Sequence, residues 1–215
     1  MRLFLSSYRM GAHPQEFAEL RSGNNQVAVI MNATDEFDPS LRPKYYERER
    51  ADLGAIGLEA TELDLRDFFG RNEQLATALG KFGLVWVTGG NSFVLRRAMR
   101  QSGFDTIGSS LVRSESLVYG GYSAGAVVAT PTLRHIDLVD DPRVVPDGYD
   151  PVVIYDGMGY YSKSIAPHYR SDHPESELME QSVERFVADG MPYQPLKDGQ
   201  VIVISGDEER LTGPN

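Results

Sequence analysis

A three-layer α/β sandwich around a mainly parallel sheet is the fold this sequence predicts. Short apolar runs alternate along the chain with stretches of helical period, which is the rhythm of βαβ units. Two of the runs, VAVIM from Val27 and LVWVT from Leu84, are apolar on both faces, as strands covered by helices on either side are.

The elements follow in order. Arg2 to Ser6, Gln26 to Met31, Glu59 to Leu63, Leu84 to Thr88 and Leu117 to Tyr119 read as strands. Between them the helical candidates are Pro14 to Arg21, Lys44 to Ile56, Asn72 to Lys81 and Ser92 to Arg100. Thr130 to Gly159 is rich in Asp, Pro and Gly with little period, a connection long enough to be functional or partly structured. Ser164 to Ala166 reads as a further strand. Glu175 to Ala188 reads as a helix with Met179, Val183, Phe186 and Val187 on one face and Gly190 as its stop. Tyr193 to Leu196 and Gln200 to Ser205 flank Lys197-Asp198-Gly199, and the Asp-Gly pair predicts a hairpin there.

With 215 residues, 41% of them hydrophobic, the chain can bury a sizeable core, and no linker or repeat divides it, so residues 1–215 are expected to form one domain. Twenty-one basic against 31 acidic residues give a net charge of −10, which argues against nucleic-acid or anionic-membrane partners bound by bulk attraction. There is no Cys, and with it go disulfide frameworks, zinc-thiolate sites and cysteine nucleophiles. The longest apolar stretch near the start, Leu3 to Leu5, is too short for a signal core, and none reaches the length of a membrane span, so a cytoplasmic location is expected.

The segment that carries chemistry is LVYGGYSAGAVVA from Leu117. Gly121-Tyr122-Ser123-Ala124-Gly125 matches G-x-S-x-G between a predicted strand and a predicted helix, the context of a nucleophile elbow. The competing reading is a glycine-rich turn that binds phosphate or merely packs closely. A serine hydroxyl needs a base, and of the four histidines His168 is best placed, directly after the strand Ser164 to Ala166; His13 and His135 read as loop residues. His168, Asp172 and His173 could alternatively hold a metal, although no further ligand stands at a telling spacing. For an oxyanion hole the candidates are the Ala124 N–H and the loop Thr88-Gly89-Gly90-Asn91, whose glycines could also serve only as a tight turn.

VWVTGGNSFVLRRAM, YGGYSAGAVVATPTLR, IAPHY and PYQPLKDGQVIVI, in that order and at these separations, resemble the peptidase E (aspartyl dipeptidase) family of serine peptidases, which includes the cyanophycinases. The resemblance runs from about Gln26 to Ser205. It implies a class I glutamine amidotransferase-like, flavodoxin-like fold with Ser in place of Cys. It also implies Ser123 as nucleophile, His168 as base and Gly90 as second oxyanion donor. Asp198 matches the position of the third triad member; Asp137, Asp140 or Asp141 in the loop after the nucleophile is the alternative acid, Asp137 foremost. Asp198 is preferred because a tight turn fixes a carboxylate better than an Asp-rich loop. Asn91, Tyr122 and Arg170 are the candidate substrate contacts.

One departure stands out. Where the family carries an Arg that reads an N-terminal Asp, this chain has His173-Pro174-Glu175-Ser176-Glu177-Leu178, acidic where a carboxylate site should be basic; Arg170 or Arg134 could substitute. The expectation is a serine peptidase acting on small peptides as a monomer or homodimer, with no cofactor and no metal. An esterase or amidase with the same site, and a non-catalytic ligand-binding module, are the alternatives.

Overall fold

The computed structural model describes residues 1–21 and 23–214. The strands are β1 (Arg2–Ser6), β2 (Gln26–Ile30), β3 (Glu59–Glu62), β4 (Leu84–Val87), β5 (Val118–Tyr122), β6 (Ser164–Ala166), β7 (Tyr193–Pro195), β8 (Val201–Ser205) and β9 (Glu208–Thr212). The helices are α1 (Gln15–Glu19), α2 (Arg42–Ala55), α3 (Asn72–Leu79), α4 (Ser92–Ser102), α5 (Phe104–Arg113), α6 (Ala124–Val127) and α7 (Ser176–Ala188). A seven-stranded sheet runs β3-β2-β4-β5-β1-β8-β9. Its first five strands are parallel, and β8 and β9 close one edge antiparallel.

Because successive side chains of a strand point to opposite faces, β1, β2 and β4 each divide between two cores. Leu3, Leu5, Ala28, Ile30, Val85 and Val87 pack under α3, α4, α5, α6 and α7. Phe4, Val27, Val29, Leu84 and Trp86 pack against Phe17 and Ala18 of α1 and Leu53 of α2. Full burial on both faces is what the doubly apolar runs encode, and each such Leu, Val or Phe contributes about 1.5–3 kcal/mol when removed from water. No helix among the described residues is long and apolar enough to cross a membrane.

Several elements depart from the sequence reading, strand β9 among them. Strand β5 runs on through Gly120 and Gly121 to Tyr122. Those glycines read as a turn but are strand residues under close cover: a Cβ on Gly120 would stand 2.4 Å from the Phe17 ring, and one on Gly121 2.9 Å from the Gly125 carbonyl carbon. Helix α5 has no counterpart among the helices the sequence predicts. Gly103, at φ 80°, ends α4 and starts α5, whose apolar Phe104, Ile107, Leu111 and Val112 do carry helical spacing among weak helix formers.

The third departure corrects the expected hairpin. Strand β7 pairs in parallel with β6 in a separate two-stranded sheet, while β8 pairs with β1 and β9. Lys197 to Gln200 does form a turn, its Gln200 N–H donating to the Lys197 carbonyl at 2.9 Å. Only Gly199 has a positive φ, at 93°, whereas the turn that continues a hairpin of the expected type needs two such residues. The hairpin lies instead at Gly206-Asp207, between β8 and β9.

The long connection Thr130 to Gly159 is ordered from outside. The buried Arg97 of α4 donates to the carbonyls of Pro142 (2.7 Å), Val144 (3.1 Å) and Val152 (3.2 Å). One side chain thus supplies hydrogen bonds that a regular element would have made internally.

Candidate active site

The carboxyl ends of β1, β2, β4 and β5 open on one cleft of about 240 Å³, into which Thr88, Gly89, Gly90, Tyr122, Ser123 and His168 project. Ser123 stands between β5 and α6 at φ 49°, ψ −116°, a conformation costly for a residue with a Cβ. The surroundings hold it there. Its N–H donates to the carbonyls of Ser6 and Ser7 (3.2 and 3.1 Å), and its own carbonyl accepts from Ala126 and Val127. The two glycines of the motif are required by contact, since a Cβ on Gly125 would stand 2.2 Å from the Val87 carbonyl oxygen.

Gly90 has φ 129°, and a Cβ there would meet the Ala33 carbonyl oxygen at 2.4 Å, so only glycine fits. The Ala33 oxygen accepts the Asn91 N–H at 2.8 Å and ties this loop to the end of β2. The N–H groups of Gly90 and Ala124 have no acceptor among the described residues.

His168 follows β6 at φ 58° and is 1% exposed. Its Nδ1 lies 2.7 Å from Asp198 Oδ1. Its ring stacks on His173, centroids 3.6 Å apart and planes within 8°, and meets Tyr8 edge-on. Burial opposes ionisation of Asp198, but the hydrogen bond and charge of His168, joined by the Ser7 hydroxyl, outweigh it and hold the carboxyl below its ordinary range. Burial, and then the neighbouring His168, lower His173. Among the described residues no hydrogen bond joins Ser123 Oγ to His168, a contact that commonly tightens only with substrate bound.

The remaining sequence candidates fall elsewhere or are already engaged. Asp137 is exposed, accepts the His135 N–H at 3.1 Å, and lines a different surface depression with Arg134 and Arg185. Asn91 spends its side chain as the cap of α4, accepting from Phe93 and Val94, and donates to the Asp141 carbonyl. Arg170 is exposed and paired with Glu180 at 3.2 Å, outside the cleft, and Arg134 pairs with Asp189. Tyr122 does line the cleft, its hydroxyl 3.1 Å from Glu49 and 3.0 Å from Arg48.

Two carboxylates of the cleft stand outside the site candidates read from the sequence, although Glu175 belongs to the acidic stretch noted after His173. Glu49, 1% exposed, receives Trp86 Nε1 at 2.9 Å, Arg48 at 2.8 Å and the Tyr122 hydroxyl. Its signal was available: it occupies the apolar stripe of α2 between Tyr45 and Leu53. Glu175 lines the cleft with its Oε2 3.9 Å from His168 Nε2. His168, His173 and Glu175 are a cluster that could offer ligands to a metal, with Glu175 in place of the Asp172 that the sequence suggests. The two ring planes are nearly parallel and 3.6 Å apart, so their in-plane lone pairs do not converge on one point, and a shared ion would require one ring to turn.

A serine held at a strained strand-to-helix elbow, at the carboxyl edge of a mostly parallel sheet covered by helices, defines a serine-type hydrolase. The sequence profile of peptidase family S51 matches residues 9–212, and the chain belongs to that family of serine peptidases. An uncharacterized peptidase of Listeria monocytogenes, Lmo0363, is 28% identical over 165 residues, 76% of each chain. A peptidase E of Salmonella newport (strain SL254) is 32% identical over 177 residues, 80% of this chain and 71% of its own. A crystal structure of a Listeria monocytogenes EGD-e protein, provisionally assigned as a peptidase E, matches with TM-score 0.79 and 26% identity over 100% of this chain and 98% of the other. A peptidase from an acI-B1 actinobacterium, 15% identical with TM-score 0.69 over 99% and 87% of the two chains, shares the fold.

Proposed function

We propose that this peptidase cleaves small peptides through Ser123, His168 and Asp198. Ser123 Oγ attacks the scissile carbonyl carbon while His168 Nε2 takes its proton. The protonated imidazole then gives that proton to the leaving amine, and water repeats the sequence to free the acyl group. Asp198, hydrogen-bonded at Nδ1, fixes the imidazole tautomer and balances its transient charge. The N–H groups of Gly90 and Ala124 receive the oxyanion. The observation that carries this reading is the 2.7 Å His168–Asp198 pair at the cleft that Ser123 enters from its elbow.

The substrate side chains follow from the walls. Tyr8, Met31, Phe37 and Tyr45 are apolar or aromatic, and the cation on the cleft, Arg48, is engaged by Glu49. We read the preferred substrates as dipeptides with uncharged side chains, and an N-terminal Asp as disfavoured. The test is labelling by a fluorophosphonate together with turnover of a dipeptide panel. Label is expected on Ser123, and Ser123→Ala should lower turnover by about 10³-fold or more. Turnover persisting in Ser123→Ala would overturn the reading.

A further inference from the structure

We infer that Ser7 is a positioning residue for the imidazole–carboxylate pair; the inference rests on the Ser–His–Asp reading and extends it to a side chain outside the motif. Ser7 follows β1 and is fully buried. Its Oγ donates to Asp198 Oδ1 at 2.8 Å, with the Leu196 carbonyl a second acceptor at 3.2 Å. The same oxygen accepts the His168 N–H at 2.8 Å. Its main-chain carbonyl accepts the Ser123 N–H at 3.1 Å. One residue therefore touches all three members of the proposed triad.

Each contact answers a specific need. His168 holds a positive φ without being glycine, so its backbone must be over-determined by its surroundings, and the Ser7 oxygen is the acceptor its N–H finds. Asp198 Oδ1 accepts from both Ser7 Oγ and His168 Nδ1, which fixes the rotamer of a carboxylate carried on a turn. The Asp198 N–H is anchored separately by Ser171 Oγ at 2.8 Å, so loss of Ser7 frees the carboxylate without freeing the turn. A carboxylate that loses one of two donors becomes a stronger acceptor for the other, and the protonated imidazole gains most from that.

The experiment compares Ser7→Ala and Ser7→Thr with the unaltered chain by steady-state kinetics across pH. Ser7→Ala is expected to lower kcat by about 10- to 100-fold with KM little changed, since misplacement of a catalytic group by an ångström costs on that order. It should also move the acid limb of kcat/KM upward, which a merely structural loss would not do. Ser7→Thr retains the hydroxyl and should keep the limb in place. If the alanine variant does not fold, Ser7→Cys replaces the hydroxyl with a weak donor, and the same drop and shift are expected. A folded Ala or Cys variant with unchanged kcat and pH profile overturns the inference. Should His168→Ala and Asp198→Asn also prove harmless, it is the triad reading that falls; should they cripple the enzyme while Ser7 variants do not, only the role of Ser7 falls.

Discussion

The Glu175 carboxylate stands 3.9 Å from Nε2 of His168, on the ring edge opposite the one bonded to Asp198. It is 41% exposed, and the side chains it approaches within 4.0 Å as an ion-pair partner are those of His168 and His173. A fixed negative charge at the reacting edge repels a substrate carboxylate, by about 1 kcal/mol once solvent screening is allowed for. Glu175→Gln should therefore raise kcat/KM for Asp-Ala several-fold while leaving Ala-Ala within about twofold. An unchanged ratio between the two dipeptides would remove Glu175 from the specificity determinants.

Asp198 and Asp137 make a matched pair of tests. Asp198 bonds the buried imidazole, whereas Asp137 caps a turn at the surface. Asp198→Asn should cut kcat by about 10⁴-fold, the loss known when the orienting carboxylate of such a triad is neutralised, and should slow fluorophosphonate labelling of Ser123. Asp137→Asn should leave kcat within about twofold, as surface changes do. The reverse pattern would move the acid to the loop after the nucleophile. Because the folded Asp198 carboxyl sits below its ordinary value of 3.8, its stabilising contribution holds above that pH and is lost as pH falls through the folded value.

Asp140 predicts the opposite slope. Burial drives its carboxyl up to about 7, although its Oδ2 accepts the Ser92 N–H at 2.8 Å at the start of α4. A folded value above the ordinary 3.8 means the native state binds the extra proton, so this stabilisation is present at low pH and declines between about 4 and 7. Asp140→Asn keeps an acceptor for Ser92 and removes the titration. Its melting temperature should exceed that of the unaltered chain at pH 8 and match it near pH 4. Parallel stability curves across that range would show that Asp140 ionises normally.

These residues also mark what a sequence can and cannot disclose. Strands β2 and β4 are legible because burial on both faces leaves an unbroken apolar run, and the strand-to-helix turn at Ser123 because such an elbow demands small residues at fixed offsets. The position of His168 directly after β6 is legible in the same way. Helix α5 is not, since Gly108 and three hydroxyl residues dilute its stripe, and Gly108 is there because a Cβ would stand 2.7 Å from the Phe104 ring. The β7–β8 turn misled because Asp-Gly specifies a turn without saying whether the flanking strands pair. Ser7 has no local signal whatever: its partners lie 161 and 191 residues away. The engagement of Arg170 by Glu180 and of Asn91 by the Asp141 carbonyl and the start of α4 is likewise set by contacts that no local pattern announces.

Gly90 offers the sharpest separation of backbone need from ordinary glycine usage. Its φ of 129° is strained for any L side chain, and a Cβ would lie 2.4 Å from the Ala33 carbonyl oxygen, the atom that anchors Asn91. Gly90→Ala must therefore push the loop off Ala33 and turn the residue-90 N–H away from the oxyanion position. Loss of one such donor costs about 10²- to 10³-fold in kcat, and that drop is expected here with a much smaller change in KM. Gly54 in α2 is the control, because a Cβ there meets nothing within 4 Å and its backbone is helical. Gly54→Ala should leave kcat unchanged and stabilise the fold by about 0.5–1 kcal/mol, through lower backbone entropy in the unfolded chain. The two variants together decide between an oxyanion donor and a turn glycine: a Gly90→Ala enzyme that stays folded and retains its kcat would leave Gly90 as a packing residue only.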